Sequence, residues 1–184
     1  MHVTLLIAVL VVASLVLCAA ARQSEPQSEP QEHAAPPLPP EAKRLEAWVG
    51  TWEAEVSMMG QTTKGTETCR IECGGHWLVT EHAGSFMGVP FQGKGFTGWD
   101  ATKGAYAGVW IDSTGGPMAV LVNGRFSKDG KRFTSEADGV GMDGRPARFE
   151  YVTTFPDART RTFEVFRVDA DERESQMRIA YSKR

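Results

Sequence analysis

The sequence predicts an all-β domain: about ten short antiparallel strands forming an up-and-down β-barrel, preceded by one short helix. Three observations carry that prediction. From Thr51 onward the hydrophobic period is two, as in "TWEAEVSMM", where Trp52, Ala54, Val56 and Met58 alternate with Thr51, Glu53, Glu55 and Ser57. Turn signals then recur about every ten residues: "MGQTTKG", "CGGH", "GVP", "DATKG", "STGGP", "SKDGK", "MDGRP", "FPDAR" and "DADER". Each separates runs rich in aromatic and β-branched residues, and no second helical region follows. Evenly spaced strands of this kind suit a sandwich or a barrel. Full closure removes the sheet edges, and a domain of about 140 residues fits a barrel of about eight to ten strands with room for one small ligand.

The 184-residue chain opens on an apolar run, "LLIAVLVVASLVL" (Leu5 to Leu17), followed by "CAAARQ". A short apolar core ending in small residues predicts a secretory signal over residues 1–21, cleaved after Ala21. The run is short for a membrane span, which needs about 20 apolar residues. Two alternatives are a lipid anchor on Cys18 and an uncleaved anchor. All three export the domain, so a periplasmic or extracellular location is expected. Residues 22–40, "RQSEPQSEPQEHAAPPLPP", repeat QSEP and run into prolines. With almost nothing apolar to bury, this stretch reads as a disordered, extended linker, leaving residues 41–184 as the barrel domain. "PEAKRLEAWVG" reads as the short helix, with Pro40 at its start, Leu45, Trp48 and Val49 at helical spacing, and Gly50 as the stop.

The stretch "CRIECGGHWLVTEH" (Cys69 to His82) is the densest in reactive side chains. A two-residue turn at Gly74–Gly75 pairs Cys73 with His76, Ile71 with Leu78, Cys69 with Thr80 and Glu67 with His82. These pairs share one face, the more apolar one, which is assigned to the barrel interior. Trp77 and Val79 then fall outside. Four residues along a strand separate Cys69 and Cys73 by about 13 Å, too far for a disulfide, which needs Cα atoms within about 7 Å. C-x3-C followed by H-x5-H lacks the spacing of a zinc site, so no metal is expected. Glu67 and His82 are a candidate interior polar pair, of a type that serves either structure or acid–base chemistry. No serine or cysteine nucleophile with a matching base is evident, and no catalytic residue is assigned.

"FMGVPFQGKGFTG" neither follows a strand nor opens a helix, so it is no phosphate loop; its glycines read as bulges or bends of a small barrel. In "GWDATKGAYAGVWIDS" (Gly98 to Ser113), Tyr106, Gly108, Trp110 and Asp112 share one face after the turn. Trp110 beside Asp112 is the make-up of a pocket wall with one polar group.

The formal net charge of −3 leaves no basic patch for nucleic acid and no polybasic membrane contact. Any membrane association is expected only through the N-terminal anchor, if it is retained.

Three quoted blocks carry a family resemblance: "LEAWVGTWEAEV", "KGTETCRIECGGHWLVTEHAGSFMGVPFQGKGFTGWDATKGAYAGVWIDS" and the closing "MRIAYSKR". From about Lys43 to Arg184 the chain resembles the bacterial family catalogued as domain of unknown function 1579. The resemblance implies a lipocalin-like, calycin-type barrel in exported or soluble proteins, without an established activity or catalytic residues to carry over. "WVGTWEAE" is also similar in placement to the opening of the nitrobindin-like haem barrels, which ligate haem through a histidine near the C-terminus. No histidine follows His82, so no cofactor is expected. The leading expectation is a small apolar or amphipathic ligand held inside the barrel by Trp52, Leu78, His82, Trp110 and Asp112. One alternative is an enzyme using Glu67, His82 and Asp112. Another is a cell-envelope interaction module with an apolar outer wall around Trp77 and Val79.

Overall fold

The structure is a computed structural model that describes residues 37–169 and 172–184. The expected signal, the lipidation site Cys18 and all but the last four residues of the expected linker lie outside the described residues. Helix α1 (Pro40–Arg44) continues as a 3-10 turn, Leu45–Trp48. Ten strands follow: β1 Gly50–Met58, β2 Gln61–Glu72, β3 Trp77–Phe86, β4 Val89–Asp100, β5 Ala105–Asp112, β6 Ala119–Phe126, β7 Arg132–Val140, β8 Pro146–Thr154, β9 Thr160–Asp169 and β10 Glu172–Lys183. Each strand pairs with the next in antiparallel fashion, and β1 pairs with β10, closing the barrel.

Pro40 suits the first helical turn because the missing N–H has no partner there. The buried side chains are Ala42, Leu45 and Trp48, a spacing of three that keeps one face inward along the tightened turn. At Gly50 the chain turns into β1 with φ of 140°, where an added Cβ would come within 2.6 Å of Lys183 Cε.

This helix plugs one end of the barrel. Trp48 meets Phe126, Phe133 and Phe155 edge-on at centroid distances of 5.4, 5.1 and 4.7 Å. The Trp52 indole N–H donates to the Trp48 carbonyl at 2.8 Å, and the Tyr106 hydroxyl donates to the Glu41 carbonyl at 2.8 Å. Aromatic edge-to-face pairs add about 0.5–1.5 kcal/mol each beyond their buried area, so the plug is tied to four strands at once.

The hairpin register is as expected: Ile71 opposite Leu78, Cys69 opposite Thr80, Glu67 opposite His82. Its turn differs. Glu72 and Trp77 are the last pair, so the loop holds four residues, Cys73–His76, with Cys73, Gly74 and Gly75 all at positive φ. Other turn signals are also narrower than the sequence suggested. In "MGQTTKG" only Met59 and Gly60 form the turn, and the threonines already belong to β2. The glycines of β4 mark no bulge, since the ladders of β3–β4 and β4–β5 are unbroken. Register shifts occur instead along β6, where Asn123 has φ of 56° and a side chain on Gly124 would strike Tyr106 and Phe133.

Candidate functional site

Inward-facing residues alternate along the strands, interrupted by the register shifts of β6 and β10, and their side chains leave a cavity of about 490 Å³. Trp48 and Phe133 floor it, next to the helical plug. Val56, Met58, Phe86, Phe91, Ala119 and Met177 line it toward the opposite end, where the β1–β2, β3–β4 and β5–β6 connections lie. That end is the mouth.

A charged cluster sits low in the cavity. Glu67 is buried on β2 and forms an ion pair with Arg161 at the start of β9, itself buried. The Tyr181 hydroxyl donates to Glu67 Oε2 at 2.7 Å, and the Cys69 thiol donates to Oε1 at 3.3 Å. The Arg161 guanidinium lies over the rings of Tyr181 and Trp52, 4.0 and 4.6 Å from their centroids. Arg161 Nε is the one buried side-chain polar atom without a partner among the described residues. The aromatic faces stabilise the cation in its place.

Burial by itself would raise the Glu67 pKa. That is the largest single effect, but the Arg161 charge and the hydrogen bonds of the His82, Arg161 and Tyr181 side chains together outweigh it and bring the carboxyl down to about 2. Burial and the neighbouring Glu67 charge push the Cys69 thiol up to about 12 and Tyr181 well above its usual value. The chemistry follows from these directions. A carboxylate held that low is a weak base near neutral pH, and a thiol held that high is not a nucleophile. The cluster fixes one charge arrangement in the barrel and leaves its net charge near zero.

Four of the five residues expected to hold a ligand line the cavity: Leu78, His82, Trp110 and Asp112. Trp52 does not reach the cavity wall; it is buried beneath Arg161 and bonded to the Trp48 carbonyl. His82 Nδ1 lies 3.7 Å from Glu67 Oε2, so Arg161 and Tyr181 are the carboxylate's closer partners. The imidazole fills space left by Gly65 and Gly84, since an added Cβ would come within 2.8 and 3.2 Å of its Nε2. Trp110 lies over Gly93 and Gly95, where a Cβ on Gly93 would come within 2.0 Å of the ring, and its indole N–H donates to Asp112 Oδ2 at 3.1 Å. The other Asp112 oxygen accepts from Thr114.

Glu67, His82 and Asp112 therefore do not converge. Asp112 stands two strands from His82, about 10 Å across the sheet, and bonds only within its own segment among the described residues. Cys69 and Cys73 are both free. No group of three His, Cys, Asp or Glu among the described residues is placed to hold a metal.

Sequence reasoning missed Arg161 and Tyr181. The signal was present: in "RTFEVFRV" and "MRIAYSK", Arg161 shares its period-two phase with Phe163 and Val165, and Tyr181 with Ile179 and Met177. Across the barrel from β2, Ser135 on β7 and Tyr151 and Thr153 on β8 line the cavity. On the outer side Val79, Phe96, Val109 and Val120 fall in one register row, but Val79 is 1% exposed and only Val120 stands open, so the expected apolar wall around Val79 is covered. Trp77 lies beside it, 41% exposed, its ring over Gly98.

Residues 39–184 match the family model described as protein of unknown function (DUF1579). No curated protein matches. Two similar solved structures are redesigned beta barrels. One redesigned beta barrel is 14% identical with a TM-score of 0.41, over 78% of this chain and 94% of its own. Another, solved bound to DFHBI, is 13% identical with a TM-score of 0.40, over 77% of this chain and 97% of its own.

Proposed function

We propose that this chain, which belongs to the DUF1579 family, is an exported protein that holds a small apolar or amphipathic molecule inside its barrel. The cavity of about 490 Å³ carries the reading. It falls within the roughly 300–1,000 Å³ of small-molecule sites, and such sites combine an apolar wall with a few placed polar groups. The Glu67–Arg161 pair is internally neutralised, so a fully charged ligand group would find no counter-charge left and would lose its hydration. Uncharged polar ends suit the hydroxyls of Ser135, Tyr151 and Thr153, which make no hydrogen bond to another described side chain.

Titration of the purified chain with Nile red, an uncharged apolar dye, tests this. Saturable one-to-one binding with a blue-shifted emission is expected. Thr80→Phe places a ring in mid-cavity beside Gly95 and is expected to weaken binding about tenfold or more without lowering the unfolding midpoint. Absence of saturable binding, or equal binding by Thr80→Phe, overturns the reading.

A further inference from the structure

The two ends of the barrel carry opposite chemistry. At the plugged end the connections hold Lys103, Lys128, Asp129, Lys131, Asp157 and Arg159. At the mouth, three connections adjacent around the barrel are free of charge along their length: residues 56–63, 83–93 and 113–124 contain no Asp, Glu, Lys or Arg. Each presents an exposed methionine. Met59 is 60% exposed, Met87 67% and Met118 54%. Val89 adds to the β3–β4 tip, exposed by 59%.

The backbone sharpens the point. Met59–Gly60 and Met87–Gly88 are two-residue hairpin turns with positive φ at both positions: 51° and 73° in the first, 51° and 80° in the second. Such turns favour Asn, Asp or Gly at the first position. A side chain like Met in the left-handed region costs about 1–2 kcal/mol. Two separate turns thus hold an apolar, flexible side chain where local geometry asks for a small polar one. The remaining mouth connections differ. Beside the β7–β8 turn Asp143 pairs with Arg167, and Asp169 and Glu172 flank the β9–β10 turn. The rim is therefore uneven: one half is free of charge, and the other half carries charges beside the exposed Val140 and Met142.

We propose that the apolar half of the mouth docks on a lipid surface of uncharged character, so that the ligand passes between that surface and the cavity. The exchange step rests on the cavity reading above. A lipid surface suits three separate tips around an opening, because fluid acyl chains can fill the gaps that a rigid protein face would leave. Methionine's flexibility and polarisability adapt it to such contacts. Among the described residues the rest of the rim carries Asp143, Asp169 and Glu172 against Arg145 and Arg167, an acidic balance, so an uncharged surface is favoured over an anionic one.

Peroxide footprinting of the full chain reads the tips directly, with methionine oxidation measured by peptide mass spectrometry with and without phosphatidylcholine vesicles. Oxidation of Met59, Met87 and Met118 is expected to fall several-fold on adding vesicles, while alkylation of exposed Cys73 at the plugged end stays unchanged. Met87→Glu charges the middle tip and is expected to abolish protection at Met59 and Met118. Unchanged oxidation overturns the docking, and with intact Nile red binding it leaves the cavity reading standing. Protection that grows with protein concentration in the absence of lipid assigns the tips to a second copy and overturns it equally. Protection by vesicles without saturable Nile red binding overturns the exchange step and the cavity reading together.

Discussion

Glu67 owes its ionised state chiefly to Arg161, 94 positions away in the chain, with the side chains of His82 and of Tyr181, 114 positions away, adding to it. Its carboxyl is lowered from 4.5 to about 2, so the sign of its pH linkage is fixed. The stabilisation is full above pH 4.5 and is lost as pH falls through about 2. A shift of that size corresponds to about 3 kcal/mol. Urea midpoints measured between pH 5 and pH 2 are expected to fall steeply in the wild type. In Glu67→Gln the slope across that window flattens, because the titrating group is gone. At neutral pH the same variant is expected to lose about 3–5 kcal/mol, since Arg161 is left buried without a counter-charge. Removing both charges in Glu67→Gln/Arg161→Met costs less than the sum of the singles. An unchanged pH slope in Glu67→Gln would show that the pair does not govern acid stability.

On the strands, glycine placement decides where aromatic rings lie. Gly93 and Gly95 leave the inner surface of β4 bare, and Trp110 from β5 covers it. Gly93→Ala puts a methyl inside the indole ring and is expected to destabilise by about 1–3 kcal/mol as the ring is forced off its position. Trp110→Ala in the same chain is expected to reduce that penalty, which a double-mutant cycle measures. Additive effects would mean the ring is not held by this contact. The sequence marked these glycines as exceptional but misread the reason, because a bulge and a cross-strand ring leave the same trace in one strand. Only the partner strand tells them apart.

The whole barrel is built with one end shut and one end open. Trp48 closes the first by packing against rings from β6, β7 and the segment after β8. Trp48→Ala is expected to cost about 3–5 kcal/mol and to open the cavity floor, so thermal unfolding and the rate of Nile red release should change together. A variant with lowered stability but unaltered release would show that the plug does not bound the cavity. The strand number, the hairpin register from Glu67 to His82 and the inward phase of Trp110 and Asp112 were legible in the sequence, because period-two patterning and turn spacing are local. That patterning also predicted an interior histidine beside a carboxylate. It did not single out Arg161 and Tyr181, since a polar residue in the inward phase is read as an exception until its partner across the barrel is known. Nor did it keep Trp52 out of the cavity wall, because facing inward is a property of a strand, whereas lying under a neighbour's guanidinium is a property of the closed barrel. The sequence alone therefore determined the alternation of faces and the charge-free stretches. Tertiary closure decided which inward residues meet, which end is plugged, and that the uncharged tips share one half of the rim, because strands distant in sequence become neighbours only when β1 pairs with β10.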